Sequence, residues 1–308
     1  MGCPICGKPV EKRERARHLP RFFLCPHCGG FFTDQKPRIQ YEEQYFTEKP
    51  KRAEKKSVFS PLLDFFLWLR MRKIRKIMKE NTTAGGEGEK RILDYGCGNG
   101  KLVAYLRKKG FDVDGYDPEV SAVALAHMQG LPVFGEIPEK QYDLIMFWHC
   151  LEHTCEPLKD TRAVSRFLKP DGKILVAVPH GGSWEAKIFG ESWFCYDWPF
   201  HMVHFTPRAL SVLLSQSGFK ELSIDYFNPE YTVSSLAQTF LNLFLPKNAL
   251  YSFMSARRQT MRRRKLFFLG IFSLFALVII SPILFLFFIG AFLMQKTAAF
   301  IVIAQKRA

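Results

Sequence analysis

Residues 92–100 read Ile-Leu-Asp-Tyr-Gly-Cys-Gly-Asn-Gly, an apolar run that ends in Asp94 and enters a turn with glycine at 96, 98 and 100. The apolar run predicts a strand, and the glycines let the backbone turn tightly and come close to a ligand. The next stretch, about residues 100–109, predicts a helix whose N-terminal amides point at that ligand. Strand, turn and helix together read as a nucleotide-cofactor loop. A dinucleotide fingerprint wants its third glycine one place later, where this chain has Lys101.

Working outward, a second apolar stretch, Phe111 to Tyr116, ends in Asp117, about 20 residues beyond the glycines. A carboxylate closing the second strand of a doubly wound sheet accepts the ribose hydroxyls of an adenosine ligand. A third run, Tyr142 to Trp148, ends at His149, and a fourth, Gly172 to Val178, follows the helix-then-turn signal Phe167-Leu-Lys-Pro-Asp-Gly172. Phe219 to Phe227 reads as a sixth strand. Strands alternate with helical stretches, so the sheet is expected to be parallel with its ligand groups at the carboxyl ends, where Asp94, Asp117 and His149 fall.

The Gly-x-Gly-x-Gly turn resembles motif I of class I S-adenosylmethionine (SAM) dependent methyltransferases. The resemblance is nearest to a broad group with a His-x-Leu-Glu-His segment after the fourth strand, here His149 to His153, and a His-x-x-His-Phe-Thr-Pro-Arg-Ala-Leu segment later, here His201 to Leu210. It covers roughly residues 85–228. It implies an α/β, doubly wound Rossmann-like sheet of seven strands, the last antiparallel. It also implies SAM as cofactor, held by Asp94, Gly96, Cys97, Gly98, Gly100, Asp117 and His149.

Methyl transfer from a sulfonium needs an in-line approach more than strong catalytic groups. An oxygen acceptor must also lose its proton, which calls for a base or a cation. His149, Glu152 and His153 stand at i, i+3 and i+4 and share one face if the chain turns helical there. They resemble the Glu-x-x-Glu-His stretch of quinone-biosynthesis O-methyltransferases, in which acidic groups and a histidine hold a divalent cation. Here His149 takes the first acidic position. Either the cluster is catalytic, with room for a divalent cation, or Glu152 and His153 cap and orient the loop. The segment from His180 to Phe205 is dense in aromatics and broken by Gly and Pro. It reads either as an acceptor-site lid with His201 and His204 facing inward as further catalytic candidates, or as packing against the core.

Before all this, Cys3-Pro-Ile-Cys6-Gly and Cys25-Pro-His-Cys28-Gly form two knuckles separated by 18 residues. This is zinc-ribbon spacing, and a four-thiolate site leaves no open position for water, so the zinc is structural. His27 is expected to be an exposed neighbour. Cys97, Cys150, Cys155 and Cys195 show no paired spacing, and no cleavable signal sequence precedes Cys3, which implies a reducing, cytoplasmic setting.

The 308 residues are 47% hydrophobic, enough for a substantial core, and carry a net charge of +15. Lys and Arg number 19 against 9 Asp and Glu in residues 1–80, 16 against 20 in 81–256, and 9 against none in 257–308. The catalytic part is mildly acidic and the flanks are basic, so the flanks are expected to meet phosphates of lipid or nucleic acid. Residues 61–80 read as a basic amphipathic helix, either lying on an anionic membrane or covering the core. Residues 266–294 are 29 uncharged, largely apolar residues, past the ~20 that cross a bilayer. Thr297 to Gln305 reads as the antiparallel seventh strand, so the run must return to the sheet. Pro282 divides it into pieces of 16 and 12 residues, which favours a re-entrant or monotopic hairpin kinked there over a transmembrane anchor.

The expected organisation is a zinc ribbon (1–46), linker and basic helix (47–84), methyltransferase domain (85–230 and 297–308) and membrane-associated helical insertion between strands six and seven (231–296). The leading expectation is O-methylation of a hydrophobic, lipid-linked or glycan acceptor at the cytoplasmic face of a membrane lipid surface. The alternatives are a ribosomal RNA methyltransferase that binds RNA through its ribbon, and a non-catalytic SAM-binding membrane adaptor. The hydrophobic insertion, and the lack of an Asn-Pro-Pro-Tyr-like motif, argue against a nucleic-acid partner.

Overall fold

The computed structural model describes residues 2–11, 14–34, 60–80, 90–254 and 263–307. The linker 47–57, the glycine-rich break 82–88 and the stretch 35–46 lie outside the described residues.

Seven strands form the main sheet: β4 (Arg91–Tyr95), β5 (Asp112–Tyr116), β6 (Val133–Phe134), β7 (Tyr142–Trp148), β8 (Leu168–Pro179), β10 (Phe219–Asp225) and β11 (Ala299–Lys306). Their order is β10-β11-β8-β7-β4-β5-β6. β4 pairs in parallel with β5 and β7, whereas β11 is antiparallel to both β8 and β10. The doubly wound sheet with an antiparallel last strand therefore forms as expected, and β8 is longer at its start than the run from Gly172 suggests.

The central strands are apolar on both faces because both faces are covered. Alternate residues divide between the two sides: Leu144 and Met146 of β7 meet Ile74 and Ile77 of α1 (Ser60–Glu80) and Leu102 and Leu106 of α2 (Lys101–Lys108). Ile145 and Phe147 pack instead with Leu210 and Leu213 of α6 (Pro207–Gln216). The basic helix thus covers the core with its second half. Its first half leaves Leu62, Leu63, Phe65 and Trp68 exposed.

The cysteine ribbon joins the α6 side. β1 (Arg15–Ala16), β2 (Leu19–Leu24) and β3 (Phe31–Phe32) are extended into a four-stranded sheet by β9 (Val203–His204), a strand of the catalytic domain. The cysteines, Ile5 and Val10 belong to the same buried cluster as Phe205, Ala209 and the sheet.

Between β10 and β11 the chain makes α7 (Pro229–Leu241), α8 (Ala249–Met254) and α9 (Arg263–Leu293). β10 runs in the direction of β8, so this insertion leaves and re-enters at the carboxyl edge of the sheet. α7 is no loose appendage: Thr232, Ser235, Leu236, Gln238 and Thr239 are buried. The expected hairpin at Pro282 does not form; residues 263–293 make one helix, about 46 Å long at ~1.5 Å per residue. Proline removes the amide that would bond the Val278 carbonyl, but the Ser281 hydroxyl donates to that carbonyl at 2.8 Å, so the helix continues. Its end is seated: Phe287 meets Trp184 and Phe189 at ring separations of 5.8 and 6.4 Å, and Phe292 meets Phe227 at 6.1 Å. Leu269–Leu293 is long and apolar enough to cross a membrane, and Phe275, Val278 and Leu286 lie exposed along it.

Candidate active site

β4 ends at Tyr95, and Gly96, Gly98 and Gly100 follow at φ 72°, 56° and 76°, the left-handed region where glycine is strain-free. Gly96 could not be replaced: a Cβ there would stand 2.5 Å from that of Cys150. The turn is fastened to β5 by the Gly96 amide, which donates to the Tyr116 carbonyl at 2.7 Å. Asp117 completes the fastening. Its carboxylate accepts from the Gly98 amide at 2.7 Å and from the Glu119 amide at 3.0 Å, linking the turn to the start of α3 (Val120–His127). Cys97 lies beside both, its sulfur over Gly115.

Burial dominates the electrostatics. Asp94 is pushed up to about 7, opposed by the Arg70 charge and assisted by Asp117. Asp117 is also raised by burial, against its two amide bonds. At the end of β7, His149 has φ 54° and its amide donates to the Ala177 carbonyl at 2.9 Å. Its ring stacks on Tyr231 of α7 at 3.3 Å, with Nδ1 3.3 Å from Glu152 Oε1. Desolvation holds His149 well below the usual histidine range and pushes Glu152 up to about 8, so burial favours the neutral form of each.

The three residues of the 149–153 cluster do not share a helical face. Leu151–His153 is a single 3-10 turn entered from the left-handed His149, too short to bring i and i+4 into line. His149 and Glu152 meet each other, while His153 turns to His201, with ring centroids 4.6 Å apart. One donor atom each of Glu152, His153 and His201 lies within 4.8 Å of the other two. The His153 Nδ1 donates to the Phe200 carbonyl at 3.2 Å and the His201 Nδ1 to the Cys195 carbonyl at 2.7 Å. Carbonyls only accept, so Nε2 carries the lone pair in both rings, the tautomer that a metal ligand or general base needs. Glu152 Oε2 is buried with no partner among the described residues. This donor set fits a divalent cation. His204 is not part of it; that ring lies against Phe22 and Trp193 at 4.6 and 5.3 Å.

The glycine turn, Asp94 and Asp117 at adjacent strand ends, and Trp148 Nε1 and His149 Nε2, both buried without partners among the described residues, stand together at the carboxyl ends of the strands. Two residues over this site are not legible in the sequence. Arg70 of α1 donates twice to Glu230 of α7, at 2.7 and 2.6 Å, and its guanidinium stands 4.8 Å over the Trp148 ring. Tyr231 covers His149. Between α1 and α7 the cleft above Trp148 is only about 30 Å³, so these helices close the cofactor end of the sheet.

The ribbon cysteines converge as their spacing predicts. Cys3 and Cys28 sulfurs are 3.9 Å apart and Cys6 and Cys25 sulfurs 3.7 Å, close to the ~3.8 Å edge of a tetrahedron with zinc–sulfur bonds of about 2.3 Å. His27 is exposed, its Nε2 bonded to the Pro9 carbonyl.

A family model described as a methyltransferase domain matches residues 67–224, more than half of the chain. The ubiquinone biosynthesis O-methyltransferase of Salmonella paratyphi A is 27% identical over 122 residues, 35% of this chain and 50% of that protein. The Escherichia coli K12 protein of the same name is 28% identical over 167 residues, 47% of this chain and 70% of that one. The chain thus spans about half the length of the first of these relatives. Among solved structures, a SAM-dependent methyltransferase from Archaeoglobus fulgidus aligns at a TM-score of 0.46 and 18% identity, over 78% of this chain and 94% of that one.

Proposed function

This chain belongs to the methyltransferase-domain family and is a SAM-dependent methyltransferase, and on that premise we propose that it O-methylates a membrane-associated or lipid-linked acceptor at the group formed by Glu152, His153 and His201. The observation that carries the acceptor class is α9. Its largely apolar stretch of 25 residues, Leu269–Leu293, ends at the carboxyl edge of the sheet, the edge that bears the glycine turn, and is seated there through Phe287 on Trp184 and Phe189. An enzyme fixed beside a membrane-embedded substrate meets it at a raised effective concentration. The relatives named for O-methylation in ubiquinone biosynthesis support oxygen as the atom methylated.

SAM, when bound, supplies a methyl group already activated on a sulfonium, so what remains for the protein is positioning and proton removal. The glycine turn with Gly96, Cys97, Gly98 and Gly100 would receive the adenosine end, the Asp117 carboxylate, held by the Gly98 and Glu119 amides, would accept from the ribose hydroxyls, and Asp94 and His149 would border the methionine end. α1 and α7 exclude water above it. Glu152, His153 and His201 would hold a divalent cation, which would supply Lewis acidity toward the acceptor hydroxyl; His153 Nε2 is the group placed to take the proton as base. His149 orients Glu152. The four cysteines hold a structural zinc. β11 returns to the sheet, so the C-terminal strand lies with the catalytic domain, which this reading assigns to the cytoplasmic face.

The test is kinetic. His153→Ala is expected to lower turnover by about 10²-fold while SAM affinity stays within about twofold, because its role begins only with the acceptor in place. Chelation should act likewise, and a transition-metal dication that accepts imidazole ligands, such as manganese, should restore the rate. If turnover survives both treatments, Glu152 and His153 only shape the loop.

A further inference from the structure

The ribbon touches the catalytic domain at the segment that carries His201. Phe31 pairs with His204 and Phe32 with Val203, and the Thr33 amide donates to the Met202 carbonyl at 3.2 Å. The other side of the same residue faces the reaction group: the Met202 amide donates to the Glu152 carbonyl at 2.8 Å. Met202 is therefore held between the ribbon and Glu152, and His201 is its neighbour in sequence. A second support comes from Phe22 of β2, fully buried, whose ring meets His204, Tyr196 and Trp198 edge-on at 4.6, 5.7 and 6.0 Å. Tyr196 adjoins Cys195, whose carbonyl fixes the His201 ring. The opposite flank of the ribbon is bolted to α6: Thr206 donates to the Gly29 carbonyl and Arg208 to the His27 carbonyl, and a Cβ on Gly30 would stand 3.0 Å from that of Ala209.

A module that recruits a partner through a tether would keep its own core. Here the cysteines share the core of the sheet. We propose that the cysteine ribbon is a wall of the acceptor site, in which Phe22 and the Thr33–Met202 hydrogen bond act as positioning elements that set His201 against Glu152 and His153. This rests on the reading of that group as the reaction centre. The ribbon acts through backbone pairing and ring contacts rather than by touching the reacting atoms, so its loss is felt at the acceptor step and not at the glycine turn, where no ribbon residue makes a hydrogen bond among the described residues.

The experiment uses the full chain with its metal in place and compares wild type with Phe22→Ala, Phe22→Leu and Cys25→Ser. Hydrogen exchange is measured peptide by peptide, together with SAM affinity and methyl transfer. Phe22→Ala and Cys25→Ser are expected to speed exchange of the 201–205 amides by about tenfold or more, leaving β4 and β7 protected. SAM affinity should stay within about twofold while turnover falls at least about tenfold, and Phe22→Leu should restore most of both signals. Unchanged exchange at 201–205 in Phe22→Ala and Cys25→Ser would overturn the proposal, as would a uniform loss of protection that takes SAM binding with it. The exchange readout does not require turnover. Should wild type bind SAM yet methylate nothing, the functional reading fails, and exchange at 201–205 still decides whether the ribbon holds this segment.

Discussion

Asp117 serves two backbone donors at once, the Gly98 amide in the turn and the Glu119 amide at the next helix, at the strand end to which the proposed function assigns the ribose hydroxyls. Asp117→Ala is expected to weaken SAM binding by about 1 to 3 kcal/mol, since a charged acceptor is lost. Titration calorimetry with unchanged affinity would move the ribose contact elsewhere. Glu185 offers a pH test. Buried at α5 (Trp184–Phe189), it accepts from Ser235 at 2.7 Å and Thr239 at 3.3 Å, yet desolvation outweighs both and pushes it up to about 8 from the usual 4.5. A raised carboxyl favours folding in its neutral form: that contribution is whole below pH 4.5 and is lost as pH rises toward 8. Thermal unfolding of wild type should therefore lose ground to Glu185→Gln between about pH 4.5 and 8, by about 4 to 5 kcal/mol over that window, with no further divergence above it; parallel pH profiles across the window would place the charge elsewhere. Asp94, Asp117 and His149 were legible in the sequence because strand ends are. Arg70 was not, because among Arg72, Lys73 and Arg75 nothing local marks it as the cation that crosses to Glu230.

Elements differ in how far local signals decide them. β11 was readable as an apolar strand following a long apolar run, and its place between β8 and β10 follows from the fold that Gly96–Gly100 announces. Removing residues 297–308 should abolish SAM binding and cooperative unfolding alike, because β8 and β10 would lose their shared neighbour; full SAM affinity in that variant would contradict the sheet order. Pro282 taken alone reads as a break, but Ser281 satisfies the carbonyl that proline leaves bare and one helix runs through both. The 149–153 segment is the opposite case. Helical spacing was present, but the left-handed His149 and one 3-10 turn direct Glu152 and His153 to different partners. No local signal ties β9 to β3, since strands of two residues acquire meaning only from the pairing between Phe31 and His204.

Across the whole molecule, three structures meet at the carboxyl edge of one sheet: the ribbon through β9, the closing helices α1 and α7, and the seated end of α9. The sequence carried all three as separate segments with separate chemistries, and their convergence is a property of the topology. Convergence is also what the functional account depends on, since a membrane helix remote from the glycine turn would say nothing about the acceptor. The decisive measurement supplies the purified full chain with methyl-labelled SAM and, in parallel, membrane lipid extract and total RNA from the same cells, with and without chelator. The account predicts label in the lipid-extractable fraction, stable to mild base as a methyl ether is, and suppressed by chelator until manganese is returned. Label confined to RNA, or none transferred to lipid by a protein that binds SAM normally, would contradict it.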